Sequence, residues 1–195
     1  MISLRFLLWL FTVPMVLGGL VYYLLAIVCA RRAQTMAKSE SSPSITEWPP
    51  ITLLKPLCGA ETELEACLAS FFAQDYPQFE LLFAVRTEAD PAVQVVQRLR
   101  TQFPHVPAQM IYTGEPPYPN AKVYSMEKMT EAARFELLVI TDSDTSVAPD
   151  YLRQMAREFA DPQVGAVTNL YRGVSGNDFW SRLEALGMST EFMAG

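Results

Sequence analysis

The chain is 195 residues long, half of them hydrophobic, with three cysteines and a formal net charge of −6. That length suits one domain with a real core, while the negative balance and the lack of any basic stripe exclude a nucleic-acid binder. The cysteines show neither metal spacing nor the pattern of a disulfide framework, so Cys58 and Cys67 read as reduced thiols.

The hydrophobic excess lies at the amino end. No charged side chain occurs from residue 6 to residue 30, and a helix of that length runs about 37 Å, enough to cross a bilayer with some tilt. A secretory signal is the alternative, but the apolar stretch is too long and no small-residue cleavage site precedes Arg31. Val28 is too bulky for Cys29 to be a lipoprotein cysteine. Residues 1–30 are therefore expected to be a single transmembrane anchor. Arg31, Arg32 and Lys38 lie after it, against Arg5 and the amino terminus before it. The positive-inside rule then places everything after residue 30 in the cytoplasm, on a bacterial-type inner membrane or its equivalent.

Residues 31–50, with Ser-Glu-Ser-Ser-Pro-Ser inside them, read as a polar linker. The globular part, 51–195, opens with Ile51-Thr52-Leu53-Leu54, a first strand that ends at Lys55-Pro56. Thr62 is placed to cap a helix carrying Leu64, Cys67, Leu68, Phe71 and Phe72 at helical spacing, broken by Asp75-Tyr76-Pro77. Residues 79–85 are a second strand, and Asp90-Pro91 opens a helix with Val93, Val96 and Leu99. Residues 108–112 make a weaker third strand, a turn-rich loop continues to Asn120, and a helix spans about 122–133. A fourth strand leads into Thr141-Asp142-Ser143-Asp144. A helix starts at Pro149-Asp150, a fifth strand is expected over 164–168, and Asp178 caps an amphipathic segment bearing Phe179, Trp180, Leu183 and Leu186. Strands alternating with helices give a Rossmann-like α/β fold with a mostly parallel sheet.

The chemistry concentrates where strands end. An Asp-x-Asp at the carboxyl edge of a strand points alternate carboxylates to one side, so Asp142 and Asp144 can share one hard cation, Mg²⁺ or Mn²⁺, which bridges nucleotide phosphates. Two bland or rival readings stand beside it. The pair can simply precede and cap a helix, and an apolar strand leading into D-x-D-T also resembles the first motif of haloacid dehalogenase-like phosphotransferases. That motif belongs on a first strand, with a lysine and an acidic pair downstream that this chain does not offer. Asp90, a helix cap in any case, also lies where a carboxylate can accept from a base N–H. Lys55 and Lys122 are candidate phosphate or base contacts, each otherwise an ordinary surface lysine. His105, the only histidine, sits between prolines and supports no catalytic dyad.

Taken together, Leu53-Leu54-Lys55-Pro56-Leu57-Cys58-Gly59, Phe71-Phe72, Asp75-Tyr76-Pro77, Ala89-Asp90-Pro91-Ala92, Asn120-Ala121-Lys122 and Thr141-Asp142-Ser143-Asp144 resemble the ceramide glucosyltransferase family, whose bacterial relatives act on hopanoid lipids. The resemblance runs from about residue 51 onward. It implies an inverting glycosyltransferase of GT-A fold that transfers a hexose (glucose or N-acetylglucosamine) from a UDP-sugar to a lipid hydroxyl at a membrane. It places Asp90 at the uridine, Asp142 and Asp144 at the diphosphate and metal, and Asn120 and Lys122 near the nucleotide. It also implies a third acidic motif supplying the general base, a Q/R-x-x-R-W element and further spans, none of which occurs before Gly195. The expectation is therefore a C-terminally truncated chain; Glu184 and Glu191 are base candidates by elimination alone and are not adopted. A nucleotide-sugar-binding module without turnover and a processive polysaccharide synthase remain the alternatives.

Overall fold

The computed structural model describes residues 4–39, 47–61, 63–169, 171–176 and 178–194. It divides into two compact units, Met1–Ser42 with Ala166–Gly195, and Pro43–Gly165.

The second unit is the α/β domain. Its strands β1 (Ile51–Pro56), β2 (Phe79–Val85), β3 (Ala108–Tyr112) and β4 (Leu137–Ile140) form one parallel sheet in the order β3-β2-β1-β4. Strands β1 and β2 lie in the middle and are buried along nearly their whole length. That burial explains why their sequences are near-continuous apolar runs rather than alternations. Counting in chain order, the first helix of this unit is α2 (Leu64–Phe72), with α3 (Ala92–Gln102), α4 (Ala121–Ala132) and α5 (Tyr151–Glu158) after it; α1 (Leu4–Ser39) and α6 (Phe179–Ala194) belong to the other unit.

The pleat sorts the core into two layers. Ile51 and Leu53 of β1, with Leu81, Phe83 and Val85 of β2, pack against Leu68, Phe71 and Phe72 of α2 and Val96 and Leu99 of α3. Leu54, Leu82 and Ala84 face the other way, against Met129 of α4. Phe72 stacks on Phe83 and on Phe103 at ring separations of 5.8 and 5.5 Å. On the amino side of the sheet, Glu80 is 5 % exposed. It accepts from the Thr52 hydroxyl (2.8 Å), the Arg134 N–H (2.8 Å) and the Arg134 guanidinium (2.6 Å), pinning the start of β4 to β1 and β2. A buried carboxylate is tolerable only when it is satisfied in this way.

Three expectations need correction or bounding. No strand forms over 164–168; those residues are exposed or half-buried and join no ladder, with Gly165 among them. Strand preference is realised only against a neighbouring strand and a covered face, and this segment has neither. The polar stretch expected as linker from residue 31 is helical as far as Ser39. Ala, Arg, Gln, Met and Lys are good helix formers, and extending an existing helix needs no new nucleus. The Thr62 cap lies outside the described residues; α2 starts after Glu63 with no side-chain cap bond.

In the first unit, α1 packs against α6. Helix α1 carries a candidate membrane span at Trp9–Cys29, with mean hydropathy 2.1 and none of it buried. Trp9, Phe11, Met15 and Leu24 each expose more than half their surface, on several sides of the helix. A helix apolar on several sides suits either a protein core or a bilayer. Asp178 caps α6 as expected, accepting from the Ser181 N–H at 2.9 Å.

Candidate functional site

In an open parallel sheet ligands lie beyond the carboxyl ends of the strands, where the strand order reverses. The order β3-β2-β1-β4 reverses at β1, because β2 and β3 grow to one side and β4 is placed on the other. A cleft of about 670 Å³ opens there, built from the segments after all four strands and from the first turns of α4. Its size suits a nucleotide-sized ligand. A cavity of about 770 Å³ opens at the amino edge instead, between Glu80, Arg100 and Arg134. The acid there is already consumed by the β4 anchor, and no post-strand loop reaches it, so the smaller cleft is the candidate site.

Asp90, Lys122, Asp142 and Asp144 all line this cleft. Asp90 ends the β2–α3 loop. Its Oδ1 accepts from the Ala92 N–H at 2.9 Å, and both its oxygens accept from the Gly59 N–H at 3.1 Å. Pro91 has helical dihedrals, φ −61° and ψ −22°, so Asp90 is the cap and proline the first helical residue. Gly59 sits at φ +74°, where side chains are strained, and this lets its N–H turn toward Asp90. One carboxylate thus joins the loops after β1 and β2 and still keeps a free lone-pair direction on Oδ2. Lys122, in the first turn of α4, pairs with the Asp142 carboxylate; both side chains are about half exposed.

Two expected contacts do not line the cleft. Lys55 is 0 % exposed, lying beneath the cleft floor. It continues the parity of Ile51 and Leu53 and so points under α2, with its ammonium 3.6 Å from the Phe71 ring centre and donating to the Asp142 carbonyl at 2.7 Å. Burial pushes it down to about 7, against the opposing pull of Cys67, Asp142 and Asp144. Asn120 spends its side-chain oxygen capping α4, accepting from the Val123 N–H at 3.1 Å. The Cys67 thiol, pushed up by burial despite nearby Lys55, stays protonated and donates to the Asp144 carbonyl at 3.5 Å. The Asp142 and Asp144 carbonyls are thus held from below while their carboxylates face the cleft.

Sequence reasoning missed Glu61, Arg86, Thr87, Thr113, Gly114 and Tyr124, which also line the cleft. Arg86 and Thr113 are the first residues after β2 and β3, so the strand-end rule that found Asp142 would have found them as well. Four carboxylates (Glu61, Asp90, Asp142, Asp144) face two cations (Arg86, Lys122). Such a wall repels a diphosphate unless a divalent cation stands between them. Among the described residues no group of three or more His, Cys, Asp or Glu stands at metal-binding spacing. A cation on Asp142 and Asp144 would therefore complete its shell with water and phosphate oxygens, as Mg²⁺ and Mn²⁺ at nucleotide sites do. The residues present fit that role.

A parallel sheet with a D-x-D after the strand beyond the switch point is the architecture of GT-A glycosyltransferases. The mannosyltransferase PcManGT of Pyrobaculum calidifontis, solved with GDP-Man and Mn²⁺, superposes with a TM-score of 0.59 at 23 % identity, over 78 % of this chain and 45 % of that one. TarS of S. aureus superposes at 0.52 and 19 % identity, over 66 % and 23 %. The chain matches Glycosyl transferase family 21 over residues 11–195 and belongs to that family. It is 37 % identical to ceramide glucosyltransferase 1 of Caenorhabditis elegans over 119 residues, 61 % of this chain and 25 % of the relative. To the ceramide glucosyltransferase of Komagataella phaffii it is 34 % identical over 118 residues, 58 % and 23 %. The chain thus spans about a quarter of the length of the curated relatives it matches. Membership of this family leaves no place for the phosphotransferase reading of Asp142.

Proposed function

We propose that this chain supplies the donor half of a membrane-associated lipid hexosyltransferase: a cleft that holds a UDP-sugar while a lipid hydroxyl attacks its anomeric carbon and UDP departs. The convergence of Asp90, Lys122, Asp142 and Asp144 on the cleft at the strand-order reversal carries the reading. Asp90 offers its remaining lone pair to the uracil N–H, and Lys122 moves from Asp142 onto a phosphate oxygen when the donor arrives. The exchange is inexpensive, because a half-exposed ion pair is worth under about 1 kcal/mol. A divalent cation on Asp142 and Asp144 would offset the charge developing on the leaving diphosphate.

The acceptor class, a ceramide- or hopanoid-type lipid, is inferred from the family. The candidate span at Trp9–Cys29, apolar and long enough to cross a bilayer, supports a lipid acceptor. Arg31, Arg32 and Lys38 orient the residues beyond the span toward the cytoplasm. The test is displacement of a fluorescent UDP probe from the full chain in detergent with Mn²⁺ present. UDP-glucose or UDP-N-acetylglucosamine should compete at least about tenfold better than GDP-mannose, a margin that base-specific hydrogen bonding readily supplies. Equal competition by all three would remove the uridine assignment.

A further inference from the structure

We infer that Lys55 is a positioning residue for the cation-binding turn: seated over Phe71 and donating to the Asp142 carbonyl, it fixes the direction in which the Asp142 and Asp144 carboxylates leave the sheet. The inference rests on the donor-site reading above and adds a residue that does not touch the donor.

Lysine is almost never fully buried without a specific partner. Here it lies in the layer of Ile51, Leu53 and Phe71, where an unbranched apolar side chain would fill the same space without the cost of desolvating an ammonium. What the ammonium provides is reach. The β1–β4 ladder ends at the Leu54–Ile140 pair, and one more backbone bond, Thr141 N–H to the Leu54 carbonyl at 3.3 Å, closes it. Beyond that point the backbone of the Asp-x-Asp is held by one long turn bond, Thr145 N–H to the Asp142 carbonyl at 3.4 Å. The Lys55 bond to the same carbonyl, at 2.7 Å, is the short contact, and it comes from a residue 87 positions away. Cys67 of α2 holds the Asp144 carbonyl in the same way, more weakly. Two side chains from beneath the sheet edge therefore grip the backbone of both aspartates and leave the carboxylates facing the cleft, that of Asp142 paired with Lys122. Outer-shell groups that orient metal ligands are worth about 10–100-fold in metal affinity.

The test compares the full chain in detergent with Lys55→Met, which keeps length and bulk but loses the donor, and with Phe71→Leu, which keeps the donor but removes its seat. Two readouts are taken: the ratio of UDP affinities with and without Mn²⁺, and amide hydrogen exchange over 51–56 and 137–145. In Lys55→Met the Mn²⁺-dependent gain in UDP affinity should fall at least about tenfold. The metal-free affinity should stay at the wild-type level, the melting temperature should hold or rise, and exchange should quicken at 142–145 while β1 and β4 keep their protection. Phe71→Leu should show a smaller fall of the same kind, and it decides the question should Lys55→Met fail to fold. An unchanged Mn²⁺ ratio, or exchange loosened evenly through β1 and β4, would make Lys55 a structural filler and overturn the inference. If wild-type chain binds no UDP at all, the donor-site reading fails, and the exchange pattern still decides whether Lys55 holds the turn.

Discussion

Replacing Asp90 separates its structural work from its proposed contact with a base. In Asp90→Ala the cap of α3 is lost, at a cost of about 0.5–2 kcal/mol. The Gly59 N–H also loses its acceptor, and because Gly59 is half-buried, water recovers part of that bond, leaving a further cost of about 1 kcal/mol. The sum, about 2 kcal/mol, corresponds to a fall of roughly 8 °C in melting temperature for a unit of this size. Asn at 90 keeps an oxygen where Oδ1 now serves both Gly59 and Ala92, so its loss should stay under about 1 kcal/mol. Hydrogen exchange read on the peptides holding Gly59 and Ala92 locates the effect: both amides should lose protection in the alanine variant and retain most of it in the asparagine variant. UDP affinity should nonetheless fall about fivefold in Asp90→Asn, because the charged acceptor facing the base is gone. An alanine variant with wild-type protection at both amides and a melting point within about 1 °C of wild type would refute the assigned bonding.

Lys122→Ala should raise Mn²⁺ affinity of the ligand-free chain severalfold by freeing Asp142, and lower UDP affinity in the presence of Mn²⁺; titrations of metal and nucleotide separately check both signs. Burial raises the Glu80 carboxyl, but the Arg134 N–H, the Thr52 hydroxyl and the Arg134 guanidinium outweigh it and hold it below its usual 4.5. The unfolded chain therefore takes up the proton first. The stabilisation is present above about pH 4.5 and drains away as pH falls through the lower folded value, so melting temperature should drop with acid and drop less steeply in Glu80→Gln. Phe83→Ala, which empties a fully buried site stacked on Phe72, should cost about 3–5 kcal/mol in a urea titration, whereas Glu115→Ala, on the exposed partner of Arg86, should cost less than about 0.5.

Much of this was legible because strand ends in an open α/β sheet are marked twice, by the end of an apolar run and by the turn residue after it. Asp142 stands at such a mark and Asp90 at the helix start that follows one, and both line the cleft. Lys55 stands at one as well, yet its position in the pleat sends it under α2. Which face α2 covers is decided by packing, which a single sequence does not display. Asn120 likewise neighbours Lys122 in sequence, but the local demand of a helix start captures its side chain. The Asp75-Tyr76-Pro77 segment, part of the family resemblance, is structural here: Asp75 pairs with Arg153 of α5 at 3.0 Å, and the Tyr76 hydroxyl donates to the Pro49 carbonyl at 2.6 Å. The failed strand at 164–168 shows the limit from the other side, since its apolar residues suit a ladder that no neighbour forms.

Calorimetric titration of UDP into the full chain, with and without Mn²⁺ and in wild type and Asp142→Ala, tests the donor cleft most directly. Binding that strengthens with Mn²⁺ and loses that gain in Asp142→Ala is the predicted result. Binding of equal strength with and without the metal, indifferent to Asp142→Ala, would contradict the assignment of the Asp-x-Asp to the donor's diphosphate.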